Sequence, residues 1–278
     1  MMIIHSDEEL NILREGGRRL AHVLEEVKQA VRPGITTKEL DRIAEEGIRK
    51  AGGEPVFKGY KTRYEKNAFP ASLCVSINDE IVHGVPSEKR ILKEGDIVGL
   101  DIGMRWPVSA TSYPRATAPG LAKLQATSKN GLITDMAVTV GVGKISAEAE
   151  KLLRVTEESL AKAIAMLKVG VHLGDLGHII QSHLEAHGLG VVRDLVGHGV
   201  GKELHEEPMI PNFGKKGTGE KFVEGQIIAI EPMATLGDYH IKAAPDGWTL
   251  KTKDGSLAAH FEHSVVILKD GAEVLTKA

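Results

Sequence analysis

The chain opens on two stretches whose apolar residues recur at helical spacing. Leu10, Leu13, Leu20, Leu24, Val27 and Val31 form the first stripe, and Leu40, Ile43, Ala44 and Ile48 the second. Each follows a capping-box signature, Ser6 with Glu9 and Thr36 with Glu39. Pro33-Gly34 stops the first helix and Gly52-Gly53 the second. Short β-branched runs follow at SLCVSIN (72–78), DIVGLDIG (96–103) and LITDMAVTVG (132–141). The second half repeats this order. Leu152, Leu153, Leu160, Ala163, Ile164 and Leu167 mark a helix ending near Gly170, and Leu176, Ile179, Ile180 and Leu184 another ending at Gly188. Strand-like runs come next, at GQIIAIEP (225–232) and HSVVIL (263–268).

Local echoes point to an internal duplication. PGITTKEL (33–40) resembles VGVHLGDL (169–176), IVHGV (81–85) resembles LVGHGV (195–200), and LKEGDIVGLDIG (92–103) resembles FVEGQIIAIEPM (222–233). Two helices followed by strands, twice over, predict an α+β fold, with an antiparallel sheet covered by helices on one face. We read residues 1–278 as a single domain, with halves at about 6–145 and 146–270. The stretch 104–130 breaks the pattern. It carries Pro107, Pro114 and Pro119, the four basic residues Arg105, Arg115, Lys123 and Lys129, and no acid. It reads as an insertion between two strands that would otherwise form a hairpin: a long loop, or a basic docking surface.

The most informative anomaly is acid inside apolar strands: Asp101 in VGLDIG, Asp135 in LITDMAV, Glu231 in IIAIEPM and Glu262 in AHFEHSVV. By alternation Asp101 shares its face with Gly99 and Gly103, and Glu231 shares its face with Ala229, so space lies beside each carboxylate. Four buried carboxylates need compensation, and no Arg lies within two residues of any of them. Two divalent cations supply the missing charge, with His198 of VGHGVG as a nitrogen ligand. Such a donor set favours Mn²⁺, Fe²⁺, Co²⁺ or Zn²⁺ over Ca²⁺ or Mg²⁺. His263 points away from the Glu262 side and is set aside; His260 stays on that side and is kept open. His205-Glu206-Glu207-Pro208 lacks the second histidine of HExxH.

Composition narrows the function classes. A net charge of -3, from 35 basic and 38 acidic residues, gives no footprint of a dedicated nucleic-acid binder. Cys74 is the only cysteine, which excludes an intrachain disulfide and a thiolate metal cage. No apolar run approaches the ~18 residues of a membrane span, and the acidic start MMIIHSDEEL lacks a secretory h-region. The expectation is a soluble, cytoplasmic protein.

SINDEIVHGVPS (76–87), EGDIVGLDIG (94–103), GHGVGKELHEEP (197–208), EGQIIAIEPM (224–233) and DGWTLKTKDGSLAAHFEHSVVI (246–267) together resemble the type I methionine aminopeptidases, of the pita-bread fold and metallopeptidase family M24. The resemblance spans about residues 6–270 and implies an internal pseudo-twofold. It implies a metal set of Asp101, Asp135, His198, Glu231 and Glu262 around two divalent ions (Co, Mn, Fe or Zn), the same set that the charge argument selects. It implies His83 and His205 as non-ligand histidines near the scissile bond, and Phe69, Cys74 and Trp248 as walls of a methionine pocket. The implied reaction removes the initiator methionine from nascent polypeptides by attack of a metal-bridging hydroxide on the first peptide bond. Glu231 would shuttle the proton, His205 steady the oxyanion and His83 hold the leaving nitrogen. Relatives of this minimal type suggest a monomer, and the basic insertion suggests weak ribosome contact. The chain departs from the family in its insertion, in Leu204 before His205, and in Lys66 where relatives often carry an aromatic. Two other readings stand beside this one: an Xaa-Pro peptidase of the same fold, and a fold relative that only binds.

Overall fold

The computed structural model describes residues 1–62, 67–108 and 131–278. Lys66, and the insertion residues Arg115, Lys123 and Lys129, lie outside them. Helix α1 (Asp7–Ala30) starts where expected, with Ser6 Oγ accepting from the Glu9 N–H. The Glu9 carboxylate reaches one residue past the cap, to the N–H of His5. Helix α2 (Thr37–Lys50) is capped by Thr36. In the second half α3 (Ala147–Met166) is capped by Ser146, and α4 (Leu173–Ala186) follows.

The first-half strands are β1 (Glu54–Pro55), β2 (Leu73–Ile77), β3 (Glu80–Val82), β4 (Ile97–Trp106) and β5 (Leu132–Gly141). After α4 come β6 (Gly190–Val191), β7 (Val196–Gly199), β8 (Glu206–Pro211), β9 (Ile227–Ile230) and β10 (Met233–Thr235). The last are β11 (Ile241–Ala243), β12 (Leu250–Thr252), β13 (Ala258–His260), β14 (Glu262–Leu268) and β15 (Gly271–Val274). The main sheet runs β1-β4-β5-β14-β9-β7-β8, with β2 against β4 and β15 against β14, and its pairings are antiparallel. Helices α1 and α2 pack on β2, β4 and β5, while α3 and α4 pack on second-half strands.

The duplication seen in sequence is also a duplication of contacts. Thr36 bridges Ile91 and, at the matching places of the second half, His172 bridges Lys221. Gly34 N–H donates to Leu92 O at 2.8 Å, and Gly170 N–H to Phe222 O at 2.9 Å. Gly95 and Gly225, both at positive φ (88° and 78°), make the turns into β4 and β9. The halves meet where β5 pairs with β14, Ala137 opposite Glu262 and Met136 opposite His263.

Around the insertion, β4 and β5 stay in register from Ile97↔Gly141 to Trp106↔Leu132. The strand therefore continues through Met104–Trp106, further than the sequence pattern suggests. Trp106 is fully buried and its indole N–H donates to Ala51 O at 3.1 Å. Arg105 is held too, donating to the carbonyls of Gly131 (3.0 Å) and Lys202 (3.1 Å). That leaves three of the four basic residues for any docking role, and all three lie outside the described residues.

Candidate active site and metal centre

Five adjacent strands each bring one ligand-type side chain to the same face. Asp101 lies on β4, Asp135 on β5, Glu262 at the start of β14, Glu231 one residue past β9 and His198 on β7, and these strands are neighbours in that order. The register fixes the common face, since Asp101 and Glu262 both sit opposite Ala137, Gly103 opposite Asp135, and His198 opposite Ala229. Alternation then carries Glu231 to the side of Ala229. Gly103, Ala137 and Ala229 keep the floor between the acids low. A Cβ built on Gly103 would lie 2.7 Å from Val56 and 3.4 Å from Asp135 Oδ1, so glycine is required beside that carboxylate.

Asp135, His198 and Glu262 each present one atom within 4.8 Å of the others. His198 Nε2 stands 4.0 Å from Asp135 Oδ2 and 3.8 Å from Glu231 Oε1. The other ring nitrogen, Nδ1, lies 2.9 Å from the Gly199 carbonyl oxygen, which can only accept. Nδ1 therefore carries the proton, and the Nε2 lone pair faces the acids, the tautomer of a metal ligand. Asp101 Oδ1, Asp135 Oδ1 and Glu262 Oε1 are buried without hydrogen-bond partners. Three orphaned carboxylate oxygens beside an imidazole lone pair form a donor set that fits divalent cations.

The electrostatics of the bare protein agree. Burial, then the neighbouring acids, push Asp135 and Glu262 well above the usual carboxylate range. Burial is also the main cause that raises Asp101, to about 7, with Glu231 adding and His260 opposing. Burial raises Glu231 as well, but the histidines around it, the His260 contact first, outweigh it and hold the group below its ordinary value. Imidazoles thus lower Glu231, while at Asp101, Asp135 and Glu262 burial outweighs every favourable partner, which leaves these acids in want of positive charge.

These residues line a cavity of about 410 Å³. All the residues expected from the sequence border it: His83, His205, Phe69, Cys74 and Trp248, as well as the five ligand-type groups. Phe69 and Trp248 meet edge to face at 5.3 Å, and His83 stands 6.2 Å from Trp248. His83 holds φ 58°, uncommon for a side-chain-bearing residue, and its carbonyl accepts from Thr249 Oγ1 at 3.3 Å. Cys74 is buried opposite Asp101 in the β2–β4 pairing and borders the cavity, and burial raises its thiol well above the ordinary range, which disfavours the thiolate that a nucleophile needs. Leu204 is buried against the same cavity. His263 points away from the acids and toward Thr276 Oγ1, 2.9 Å distant, as alternation requires.

One residue escapes the sequence reading, and a second is only left open by it. The Tyr60 hydroxyl lies 2.6 Å from His205 Nδ1. Its stretch FKGYKT has no periodicity, so no pattern marked it. His260, kept open from sequence, lies with Nε2 3.4 Å from Glu231 Oε2 and 4.0 Å from Glu262 Oε2.

Residues 11–117 and 119–269 match the family model of metallopeptidase family M24. The chain is 44% identical over 277 residues to methionine aminopeptidase 1 of Bacillus subtilis, covering all of both chains. It is 44% identical over 276 residues to the methionine aminopeptidase of Clostridium acetobutylicum, covering 99% of each. The crystal structure of methionine aminopeptidase from Thermotoga maritima superposes with a TM-score of 0.86 at 41% identity, all of both chains covered. The chain belongs to metallopeptidase family M24 and, within it, to the methionine aminopeptidases of the pita-bread fold. The Xaa-Pro dipeptidase of Bacillus anthracis shares the fold at TM-score 0.69 and 19% identity, and this chain spans 62% of its length.

Proposed function

We propose that this protein removes the N-terminal methionine from newly made polypeptides, holding two divalent ions among Asp101, Asp135, His198, Glu231 and Glu262. The observation that carries the reading is the set of orphaned carboxylate oxygens beside the His198 lone pair, in a cavity walled by Phe69, Cys74 and Trp248. Bound cations supply Lewis acidity there, making a water nucleophilic near neutral pH and polarising the scissile carbonyl.

The protein's own groups do the rest. The methionine side chain packs against Phe69, Trp248 and the soft Cys74 wall. Tyr60 donates its hydroxyl proton to His205 Nδ1, which leaves the His205 Nε2–H to meet the carbonyl oxygen as it gains negative charge. His83 faces the leaving nitrogen, and the Glu231 carboxylate takes a proton from water and returns it to the departing amine. The ions are Co²⁺, Mn²⁺, Fe²⁺ or Zn²⁺, and the setting is the cytoplasm, where a monomer meets nascent chains. Ribosome contact through Arg115, Lys123 and Lys129 accompanies this reading, and deletion of 109–130 should then reduce co-sedimentation with ribosomes at low salt.

The test is release of methionine from a Met-Ala-Ser peptide, abolished by EDTA and restored by Mn²⁺ or Co²⁺. Failure of metal to restore turnover would contradict the proposal. Cleavage of Ala-Pro in preference to Met-Ala would favour an Xaa-Pro peptidase, and folded protein without metal or turnover a binding module.

A further inference from the structure

His260 has no part in the scheme above, yet it lies among the acids. It is 3% exposed, and its Nε2 is buried without a hydrogen-bond partner. Its backbone is pinned on both sides by one side chain: the His260 N–H donates to Thr139 Oγ1 at 2.9 Å, and the Thr139 hydroxyl donates to His260 O at 2.8 Å. Pairing of β13 with β10 sets His260 opposite Met233, two residues beyond Glu231. The result is an imidazole nitrogen 3.4 Å from Glu231 Oε2 and 4.0 Å from Glu262 Oε2, out of hydrogen-bond alignment with either.

Glu231 therefore has a different imidazole on each oxygen. His198 Nε2 stands 3.8 Å from Oε1 and His260 Nε2 3.4 Å from Oε2. The His198 nitrogen is a lone pair, because Nδ1 carries its proton. A lone pair offers Oε1 no hydrogen bond; a cation bound there would be held by both groups. His260 is the group positioned to donate. The terminal torsion of a glutamate is broad, so a small rotation of the carboxylate aligns Oε2 with an Nε2–H.

We propose that His260 is a positioning residue of the metal centre: its Nε2–H holds Glu231 Oε2 and thereby turns Oε1 toward His198 and the cation site. The inference rests on the proposed metal-dependent function and deepens it. Partners that orient ligating groups in this way change metal affinity or activity by about 10–100-fold when removed.

The experiment compares wild type, His260→Leu and His260→Gln as Co²⁺-loaded full-length proteins. Leucine removes the donor, and glutamine replaces it with an amide N–H of similar reach. Metal affinity is read by calorimetric titration of the metal-free proteins, coordination by the visible absorption of the Co²⁺ forms, and turnover on Met-Ala-Ser. His260→Leu should bind Co²⁺ about 10-fold more weakly or worse and lose a comparable factor in kcat with little change in KM. His260→Gln should recover most of both losses and keep the wild-type Co²⁺ spectrum. Unchanged Co²⁺ affinity and kcat in His260→Leu, with or without a lower Tm, would overturn the proposal, since a purely structural role moves only the Tm. A spectrum altered in His260→Gln would overturn it in favour of direct ligation by the imidazole. If wild type itself neither binds Co²⁺ nor releases methionine, the functional reading fails instead, which the same titration distinguishes.

Discussion

Stripping the metal should make the protein's stability fall as pH rises, and the site gives the size of the effect. In the metal-free fold the Asp101 carboxyl is raised from 3.8 to about 7, mainly by burial. At ~1.36 kcal/mol per unit, that shift amounts to about 4 kcal/mol. A raised folded-state value means that the native protein binds more protons than the unfolded chain between the two values. Stability is then lost as pH climbs through that window, by about 2 kcal/mol between pH 5 and 7, since the folded carboxyl is already half ionised at the upper end. Asp135 and Glu262 are shifted in the same direction and steepen the loss. His263 acts oppositely, since burial lowers it to about 4, so stability rises as pH passes from there to its unfolded value. The strongly lowered acids Glu45 and Asp254, at about 2, exert their effect below this range. An Asp101→Asn reference cancels His263. EDTA-treated wild type and Asp101→Asn, melted side by side, should diverge from pH 5 to 7 by roughly 4–8 °C, at roughly 2–4 °C per kcal/mol. Wild type should lose ground as pH rises. Parallel melting curves across that range would refute the reasoning.

Three further expectations use other parts of the site. Asp135→Asn keeps the shape of a side chain beside Glu262 and His198 but removes its charge; metal content by mass spectrometry should fall below the wild-type value and turnover by at least ~10–100-fold. Tyr60→Phe deletes the hydroxyl on His205 Nδ1; kcat should drop by roughly 10-fold with KM nearly constant, less than the ~10²–10³-fold expected for His205→Ala. Trp106→Ala opens a void at a fully buried ring beside the insertion, and chemical denaturation of the loaded enzyme should report a loss of about 3–5 kcal/mol with turnover of the surviving native protein unchanged.

Much of this architecture is legible in the residues because the chain says it twice. Ser6 and Thr36 mark helix starts by local chemistry, and the paired motifs around Asp101 and Glu231 place acids on strands where small neighbours leave room. Alternation alone separates His263 from Glu262, and it leaves His260 on the correct side. What alternation cannot supply is contact across chain-distant pairings. The approach of His260 to Glu231 depends on two three-residue strands, β10 and β13, too short to carry a period. Tyr60 reaches His205 from a stretch with no regular element, across 145 residues of sequence. Arg105 reads as one of four free cations in sequence; only the closed β4–β5 hairpin reveals that carbonyl oxygens hold it.

The most direct measurement is an anomalous-difference map from crystals of the Mn²⁺-loaded protein, collected on either side of the manganese absorption edge. The account predicts two peaks inside the cavity, both within coordination distance of Asp135 or Glu262 and together touching Asp101, His198 and Glu231. A fully loaded, active crystal with its manganese bound elsewhere, or with Asp101 and Asp135 left without a cation, would contradict it.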